Sequence, residues 1–349
     1  MTKVFVGMSG GVDSSVTAAL LVERGYDVTG VYMKNWSQDL PGMQCPWAED
    51  VADAKRVAVG LGIDFQVFDF QQEYKQKVVD AMVAEYRAGR TPNPDVMCNQ
   101  EIKFNLFLET ALEQGADMIA TGHYARTENG RLFIPNDTEK DQTYFLYRVK
   151  SSALEKTLFP LGDMTKQQVR QYAKDNHLWT AAKKESMGIC FVGQVGIREF
   201  LSQYLDLVPG DVVDQATGKV IGHHESVLIY TTGQRHGLNI GGGLPYYVVG
   251  KDIEKNIVYV SQNLNNQAMW LDRFNLTDVH WIDKAPNSLD GLTVRIRHRG
   301  DLLPITKLDI NETVVSITLN NPERAITTGQ SAVIYRDGEA LGGGIIKTD

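Results

Sequence analysis

The sequence has little cysteine, no excess of basic residues and no long apolar run, and each shortage removes a class of protein. No window approaches the ~18 uninterrupted apolar residues of a membrane-spanning helix. The first seven residues pass directly into a Gly-rich turn, without the apolar core and cleavage site of a signal peptide, so a cytoplasmic protein is expected. The three cysteines, Cys45, Cys98 and Cys190, form no C-x-x-C pair. That excludes a disulfide framework and argues against zinc ribbons and cysteine-ligated iron–sulfur clusters. What remains for them is inert burial or thiol chemistry in a reducing compartment. Lys and Arg total 35 against 43 Asp and Glu, a net charge of −8. A chain of that sign does not attract nucleic acid as a whole, so any polyanion must be met by local basic patches. Fixed-period repeats and low-complexity tracts are also missing.

What is present divides into two or three domains, at roughly 150 residues each. Apolar runs at 4–8, 27–33, 65–70 and 117–120 read as strands. Between them, apolar residues at helical spacing predict helices from Val12 towards a stop at Gly25, over 49–61 with Gly62 behind, over 71–88 and over 101–114. This rhythm predicts a parallel sheet covered on both faces, with ligands at the carboxyl ends of its strands. From about Gly210, short strand-like runs follow at 226–231, 246–249, 256–261, 293–298, 314–318 and 332–335. Asp337-Gly338 reads as a hairpin turn, and the triplets 241–243 and 342–344 as glycine punctuation. The expected division is an α/β catalytic domain at 1–200, a small central module at 201–268, and a terminal β-barrel or sandwich at 269–349.

Gly7-Met8-Ser9-Gly10-Gly11-Val12-Asp13-Ser14-Ser15 joins the first strand to the first helix. Gly10 and Gly11 allow the tight turn and close backbone approach of an anion cradle. Ser9, Ser14 and Ser15 add hydroxyls, and the helix start adds N–H groups at its positive end. No lysine follows the glycines as it does in a Walker A loop. Phosphates here would be met by backbone, hydroxyls and Mg²⁺, with Asp13 a candidate for orienting the metal or its waters. A Ser/Gly turn capped by Asp13 is the structural alternative.

Cys98 follows Thr91-Pro92-Asn93-Pro94-Asp95-Val96-Met97, and two prolines in three residues place it on a stiff loop just before a helix. Unpaired N–H groups there would lower its pKa. Cys190 lies in Ser186-Met187-Gly188-Ile189-Cys190-Phe191-Val192-Gly193, with Lys183 and Lys184 upstream to favour a thiolate. Cys45, beside Pro46 and Trp47, reads as structural. Arg295, Arg297 and Arg299 alternate along a predicted strand and would share one face, a basic stripe suited to phosphates or merely a solvated edge. His223, His224 and His236 have no Cys or acidic pattern around them, so no metal site is expected.

The phosphate loop resembles the SGGxDSS signature of the ATP pyrophosphatase (PP-loop) superfamily, whose members cleave ATP between the α and β phosphates and adenylate a substrate oxygen. Together with TPNPDVMCNQEIKF, ATGHYAR, KDQTYFL, SMGICFVG, TTGQRHGL and GQSA, it is similar to the bacterial tRNA-specific 2-thiouridylase (MnmA) family, in family order over nearly the whole chain. The resemblance implies an adenine nucleotide α-hydrolase-like catalytic domain and a C-terminal β-barrel that contacts tRNA. It implies ATP at Gly7, Met8, Ser9, Gly10, Gly11, Val12, Asp13, Ser14, Met33 and Gly122, carried with Mg²⁺. Asn93, Pro94 and Asp95 would meet the target base, and His123, Lys140, Asp141, Gln142, Arg297, His298 and Gln330 would meet tRNA. His298 stands where the family commonly has tyrosine. His123 as a packed imidazole and Lys140-Asp141 as a charged turn are the structural alternatives. Cys190 would carry a persulfide from a cysteine desulfurase or sulfur relay, and Cys98 would be the nucleophile that releases sulfide in place, the two pairing transiently as a disulfide. Direct attack of the persulfide on C2 is the alternative that the sequence does not separate. The implied reaction is ATP-dependent 2-thiolation of the wobble uridine. Other readings are a PP-loop ligase acting on a small metabolite, which would have no use for the two cysteines, and a nucleotide- or RNA-binding module without turnover.

Overall fold

A computed structural model describes residues 1–39, 45–184, 197–238, 240–241, 244–263 and 269–348. Strand β1 (Lys3–Gly7) carries Val4, Phe5 and Val6, each fully buried, the continuous apolar run that a strand covered on both faces needs. Helix α1 (Val12–Glu23), β2 (Asp27–Lys34), α2 (Trp47–Leu61) and β3 (Asp64–Asp69) follow, and α2 stops at Gly62 in a left-handed conformation, φ 68°. β4 (Met118–Thr121) then returns to the other side of β1, the hairpin of β5 (Arg126–Glu128) and β6 (Arg131–Phe133) follows, and β7 (Thr157–Leu158) lies outside β4. The sheet order β3-β2-β1-β4-β7 is parallel throughout. The chain reverses direction across the sheet between β1 and β4, the switch point where such sheets bind ligands. Among the described residues no helix is long and apolar enough to cross a membrane.

Two helices differ from expectation. Residues 71–87 form α turns at Gln71–Tyr74 and Asp80–Arg87 separated by a wider π turn at Lys75–Val79. Cys98 does not lie on a loop before a helix: the helix begins at Pro94, widens to π turns over Cys98–Leu106 and continues as Phe107–Glu113. Proline is accepted at a first helical position because its missing N–H has no helical partner there. The thiol therefore sits one turn inside the helix, beyond the unpaired N–H groups expected to acidify it.

The central sheet is ordered β10 (Tyr247–Asp252), β11 (Ile257–Ser261), β8 (Gly210–Asp214), β9 (Val220–His224). The strand expected at 226–231 is instead a 3-10 turn at Val227–Ile229, because the Ser226 hydroxyl accepts from Leu228 N–H and curls the backbone. In the third domain, β12 (Trp270–Trp281), β15 (Val315–Arg324), β14 (Leu303–Ile310), β13 (Leu292–Arg295), β16 (Ser331–Arg336) and β17 (Glu339–Lys347) form a closed six-stranded barrel, β17 pairing back onto β12. Asp337 and Gly338 both have positive φ, 51° and 82°, as the hairpin turn requires. Gly342, Gly343 and Gly344 are not punctuation. They lie inside β17, where a Cβ on Gly342 would stand 2.2 Å from the His280 carbonyl oxygen and one on Gly343 2.1 Å from that of Ala332. Only glycine lets this strand close the barrel.

The arginine stripe does not form either. β13 ends at Arg295, Arg299 is left-handed at φ 60°, and Arg295 turns inward, 8% exposed. It pairs with Asp141, 1% exposed, which also accepts from the Thr143 backbone at 2.9 Å and hydroxyl at 2.7 Å. Asp141 thus holds the barrel to the N-terminal α/β domain and presents no carboxylate to solvent. Around the pair, Leu132, Tyr144 and Tyr147 share one core with Val333, Tyr335 and Ala340, and β6 pairs with β17. Asp141→Ala is expected to lower unfolding free energy by about 3–5 kcal/mol by stranding a buried guanidinium. Urea denaturation checks this, and a loss under about 1 kcal/mol would show that the pair does not weld the two domains.

Candidate functional site

The phosphate loop stands at the carboxyl end of β1. Gly10 has φ 74°, and a Cβ there would lie 2.4 Å from the Asp50 carbonyl oxygen, so the loop folds directly against the first turn of α2. Gly122, just beyond β4, brings its backbone to within 2.9 Å, counted from a Cβ position, of Asp13 C and Ser14 N. The three serines do different things. Ser15 is buried and donates to the Gly11 carbonyl at 2.8 Å, so it shapes the turn instead of offering a hydroxyl to a ligand. Ser14 accepts from Ser9 N–H at 3.1 Å, and Ser9 is the exposed member. Among the described residues no side chain caps the start of α1, which leaves its first N–H groups directed at the loop. Met8 is buried, and Met33 Cε lies 3.0 Å from a Cβ position on Gly7.

A cation missing from the local sequence arrives from far along the chain. Lys166 Nζ lies 2.7 Å from both carboxylate oxygens of Asp13, and the Tyr124 hydroxyl donates to Oδ1 at 3.0 Å. Lys166 opens the helix Lys166–Asp175, fixed there by a Thr165–Gln168 capping box and by Asp137 accepting from Lys166 N–H at 2.7 Å. No local motif carries this ammonium, because 153 residues separate the pair.

Cys98 is 1% exposed in the core cluster with Phe5 and Phe107. Pro94 is buried and Asn93 and Asp95 are half-buried on the turn above it. The Tyr144 hydroxyl donates to the Ser331 carbonyl at 2.8 Å and hydrogen-bonds Asn93, and burial pushes its pKa far up, so it stays protonated. Next to the thiol, Asn99 donates to the Phe145 carbonyl at 3.0 Å while its buried Oδ1 accepts no hydrogen bond from the described residues. Cys45 is half-buried and burial raises its thiol pKa, in keeping with a structural role.

Cys190 falls outside the described residues. Upstream of it, Lys183 binds Asp50 at 2.8 Å and Asp53 at 2.7 Å. Burial would push the Asp53 carboxyl up, but hydrogen bonds from Lys183, Trp179 and Arg56 outweigh it and hold the carboxyl below its ordinary range.

His123 is a packed imidazole, buried between Phe104 and Phe159. Burial, then the Lys103 charge, holds its pKa well below the ordinary value, so it is neutral near pH 7. Lys103 Nζ lies 3.5 Å from Nε2, an ammonium has no lone pair, and the ring proton therefore sits on Nδ1 and is given to Thr121 Oγ1 at 2.8 Å. Lys140 is half-exposed on a 3-10 turn, and Gln142 Oε1 accepts from Tyr124 N–H at 2.9 Å. Arg297 is paired with Glu323 at 2.8 Å on the barrel surface. His298 packs on Phe145, ring centroids 4.4 Å apart, and burial with neighbouring Arg299 keeps it neutral. Gln330 Nε2 donates to the Thr91 carbonyl at 2.7 Å. His223 pairs with Asp211, and His224 meets the Asn256 carbonyl.

A family profile described as "tRNA methyl transferase HUP domain" matches residues 2–194, one described as "tRNA methyl transferase PRC-barrel domain" matches 198–262, and one described as "Aminomethyltransferase beta-barrel domain" matches 271–346. A Bacillus velezensis protein described as "tRNA-specific 2-thiouridylase MnmA" is 46% identical over 354 residues, spanning 99% of this chain and 95% of its own. The Bacillus subtilis protein of that description is also 46% identical, over 352 residues with the same coverage. A solved 4-thiouridine synthetase–RNA complex with bound ATP is 18% identical with a TM-score of 0.39, over 58% of this chain and 50% of its own, too distant to inform residue roles.

Lys166→Met is expected to weaken Mg·ATP binding about tenfold, or about 1.4 kcal/mol, by removing the cation beside the loop. Isothermal titration calorimetry reads it directly. An unchanged dissociation constant would mean that the ammonium serves Asp13 and no phosphate.

Proposed function

The chain belongs to the tRNA-specific 2-thiouridylase (MnmA) family, an ATP-dependent, tRNA-thiolating enzyme, and for the division of that work among its residues we propose the following reading. The target is the wobble uridine, in a single-stranded anticodon loop where flipping a base costs only a few kcal/mol of unstacking. ATP supplies the group that turns the uridine C2 oxygen, otherwise a poor leaving group, into AMP. Gly7 to Ser14, Met33 and Gly122 hold it at the carboxyl end of β1, and the cradle fits: Gly10 has no room for a side chain, and the α1 N–H groups face the loop. Asp13 and the loop hydroxyls are the donors available to Mg²⁺ carried with ATP, and Lys166 is the ammonium beside them. Asn93, Pro94 and Asp95 receive the base.

Cys190 carries the sulfur as a persulfide delivered by a cysteine desulfurase or relay protein. Attack of the Cys98 thiolate on the inner sulfur forms a Cys98–Cys190 disulfide and expels hydrosulfide, which adds to C2 as AMP departs with the C–O electron pair. Direct attack on C2 by the persulfide is the other route. In this reading residues 1–200 do the chemistry and offer Lys140 and Gln142 to tRNA, 201–268 connect, and the barrel at 269–349 meets tRNA through Arg297, His298 and Gln330, all in the cytoplasm. His123 and Asp141 act by shaping the protein surface from beneath.

The observation that carries this reading is the neighbourhood of Gly7. A Cβ position there has Met33 Cε at 3.0 Å, Phe107 Cε1 at 3.5 Å and Thr121 Cγ2 at 3.7 Å. Phosphate loop, Cys98 helix and the approach to Gly122 therefore share one strand end.

Purified protein with Mg·ATP, unmodified tRNA, a desulfurase and cysteine is expected to yield AMP and 2-thiouridine together, both requiring tRNA, by nucleoside mass spectrometry. Cys98→Ala and Cys190→Ala are expected to keep tRNA binding and abolish the thionucleoside. AMP without tRNA, and no thionucleoside, would redirect the phosphate loop to a small-molecule acceptor.

A further inference from the structure

The loop that leads into Asn93, Asp95 and Cys98 is gripped by both β-rich domains. It begins at Gly89, left-handed at φ 73°, with Ile253 Cδ1 packed 2.6 Å from any Cβ position there. Lys251, on β10 of the central module, reaches across and donates to the Gly89 carbonyl at 2.8 Å and to the Tyr230 carbonyl at 2.7 Å. Arg90 folds back onto Glu85 with two bonds of 2.6 Å. At the next residue, the Thr91 hydroxyl meets that of Thr231 at 2.9 Å, and the Thr91 carbonyl accepts from Gln330 of the barrel at 2.7 Å. Gly329 lets the barrel backbone come so close that a Cβ would stand 2.9 Å from Thr91 N. The two β-rich domains also touch each other here, Thr327 Oγ1 lying 3.4 Å from the Thr232 carbonyl oxygen and 3.0 Å from that of Ala325. Three domains thus converge on residues 89–91.

Neither Thr231-Thr232 nor Lys251 is used by the phosphate loop or by the cysteines. Among the described residues no carboxylate pairs with Lys251, and desolvation alone lowers its pKa to about 8. An ammonium buried against two carbonyls gains little stability, because its lost hydration is incompletely replaced. It does fix two backbones at a set separation, through donors that a hydrocarbon lacks.

We propose that Lys251 is a positioning residue for thiolation: it anchors Gly89 to the central module, while Thr231 and Gln330 anchor Thr91, and together they set where Asn93, Asp95 and Cys98 meet the base. The central module then serves the chemistry from a distance, through the loop backbone. This rests on the thiolation reading above.

The test compares wild type, Lys251→Met, Lys251→Arg and Thr231→Val in full-length form. It measures 2-thiouridine turnover, dissociation constants for Mg·ATP and tRNA, and the rate of Cys98 alkylation by iodoacetamide. Lys251→Met is expected to lower kcat at least tenfold and change the alkylation rate, with both dissociation constants within threefold of wild type. Lys251→Arg, which keeps charge and donors, is expected to recover most of the turnover, and Thr231→Val to lower kcat about threefold. A Lys251→Met enzyme with kcat within twofold of wild type overturns the proposal. So does a loss of ATP or tRNA binding in step with kcat, which marks general damage. If Lys251→Met does not fold, Thr231→Val decides, and an unchanged kcat there overturns it. A wild type that makes no 2-thiouridine sinks the thiolation reading as well, whereas a productive wild type with an indifferent Lys251→Met sinks this one alone.

Discussion

The arrangement of the molecule depends on one buried ion pair, Asp141 with Arg295. Asp141 belongs to a short loop of the catalytic domain and Arg295 to the end of β13, so the pair crosses from one domain core to the other. A charge taken out of water is tolerable only when it is paired and its remaining hydrogen bonds are met. Thr143 meets them for Asp141; the Arg295 guanidinium lies over the Tyr335 ring, 5.2 Å from its centroid, while its buried Nε finds no hydrogen-bond partner among the described residues. The requirement is directional, unlike the apolar packing of Tyr144, Tyr147 and Val333 around it. It therefore fixes how the barrel is turned, and with it the reach of Gln330 towards Thr91.

The same logic places charge at the phosphate loop. A loop of glycines and serines offers dipoles but no full positive charge, and its one acid, Asp13, would repel a polyphosphate. Lys166 balances that carboxylate and stands beside the loop from a second helix start. Lys183, with Arg56 also on Asp53, does the corresponding work at α2, balancing Asp50 and Asp53 where the α2 backbone supports Gly10. Negative net charge over the whole chain is thus compatible with a loop whose acids are balanced locally, because local pairing and the helix N–H groups decide the field that a ligand meets.

The helix of Cys98 shows how chemistry is held by indirect means. Its start is set by Pro94, and its widened turns allow Asn99 to reach the Phe145 carbonyl. Gln100 on the same helix accepts from Arg148, which also bonds Asp278, a left-handed residue in the β12 irregularity opposite β17. The loop before the helix and a turn within it are both tied to the barrel.

Local patterns in the sequence determined the strands β1 to β4, the helices beside them, the stop at Gly62, the hairpin at Asp337-Gly338 and the presence of a phosphate loop. Each of these follows from solvent-facing periodicity or from backbone conformations that only a few residues accept, and both act over a handful of positions. The resemblance of scattered motifs added the family, and a transient pairing of Cys98 with Cys190 is what that resemblance implies. Tertiary structure alone decided that Arg295 points inward, that Lys166 serves Asp13, that Lys183 serves Asp50 and Asp53, and that Gly342 to Gly344 close a barrel. A charged residue reads as exposed until its partner is known, and these partners lie 130 to 154 residues away. Periodicity reports which side of an element meets water, but which distant group makes burial of a charge tolerable is settled only when the domains pack.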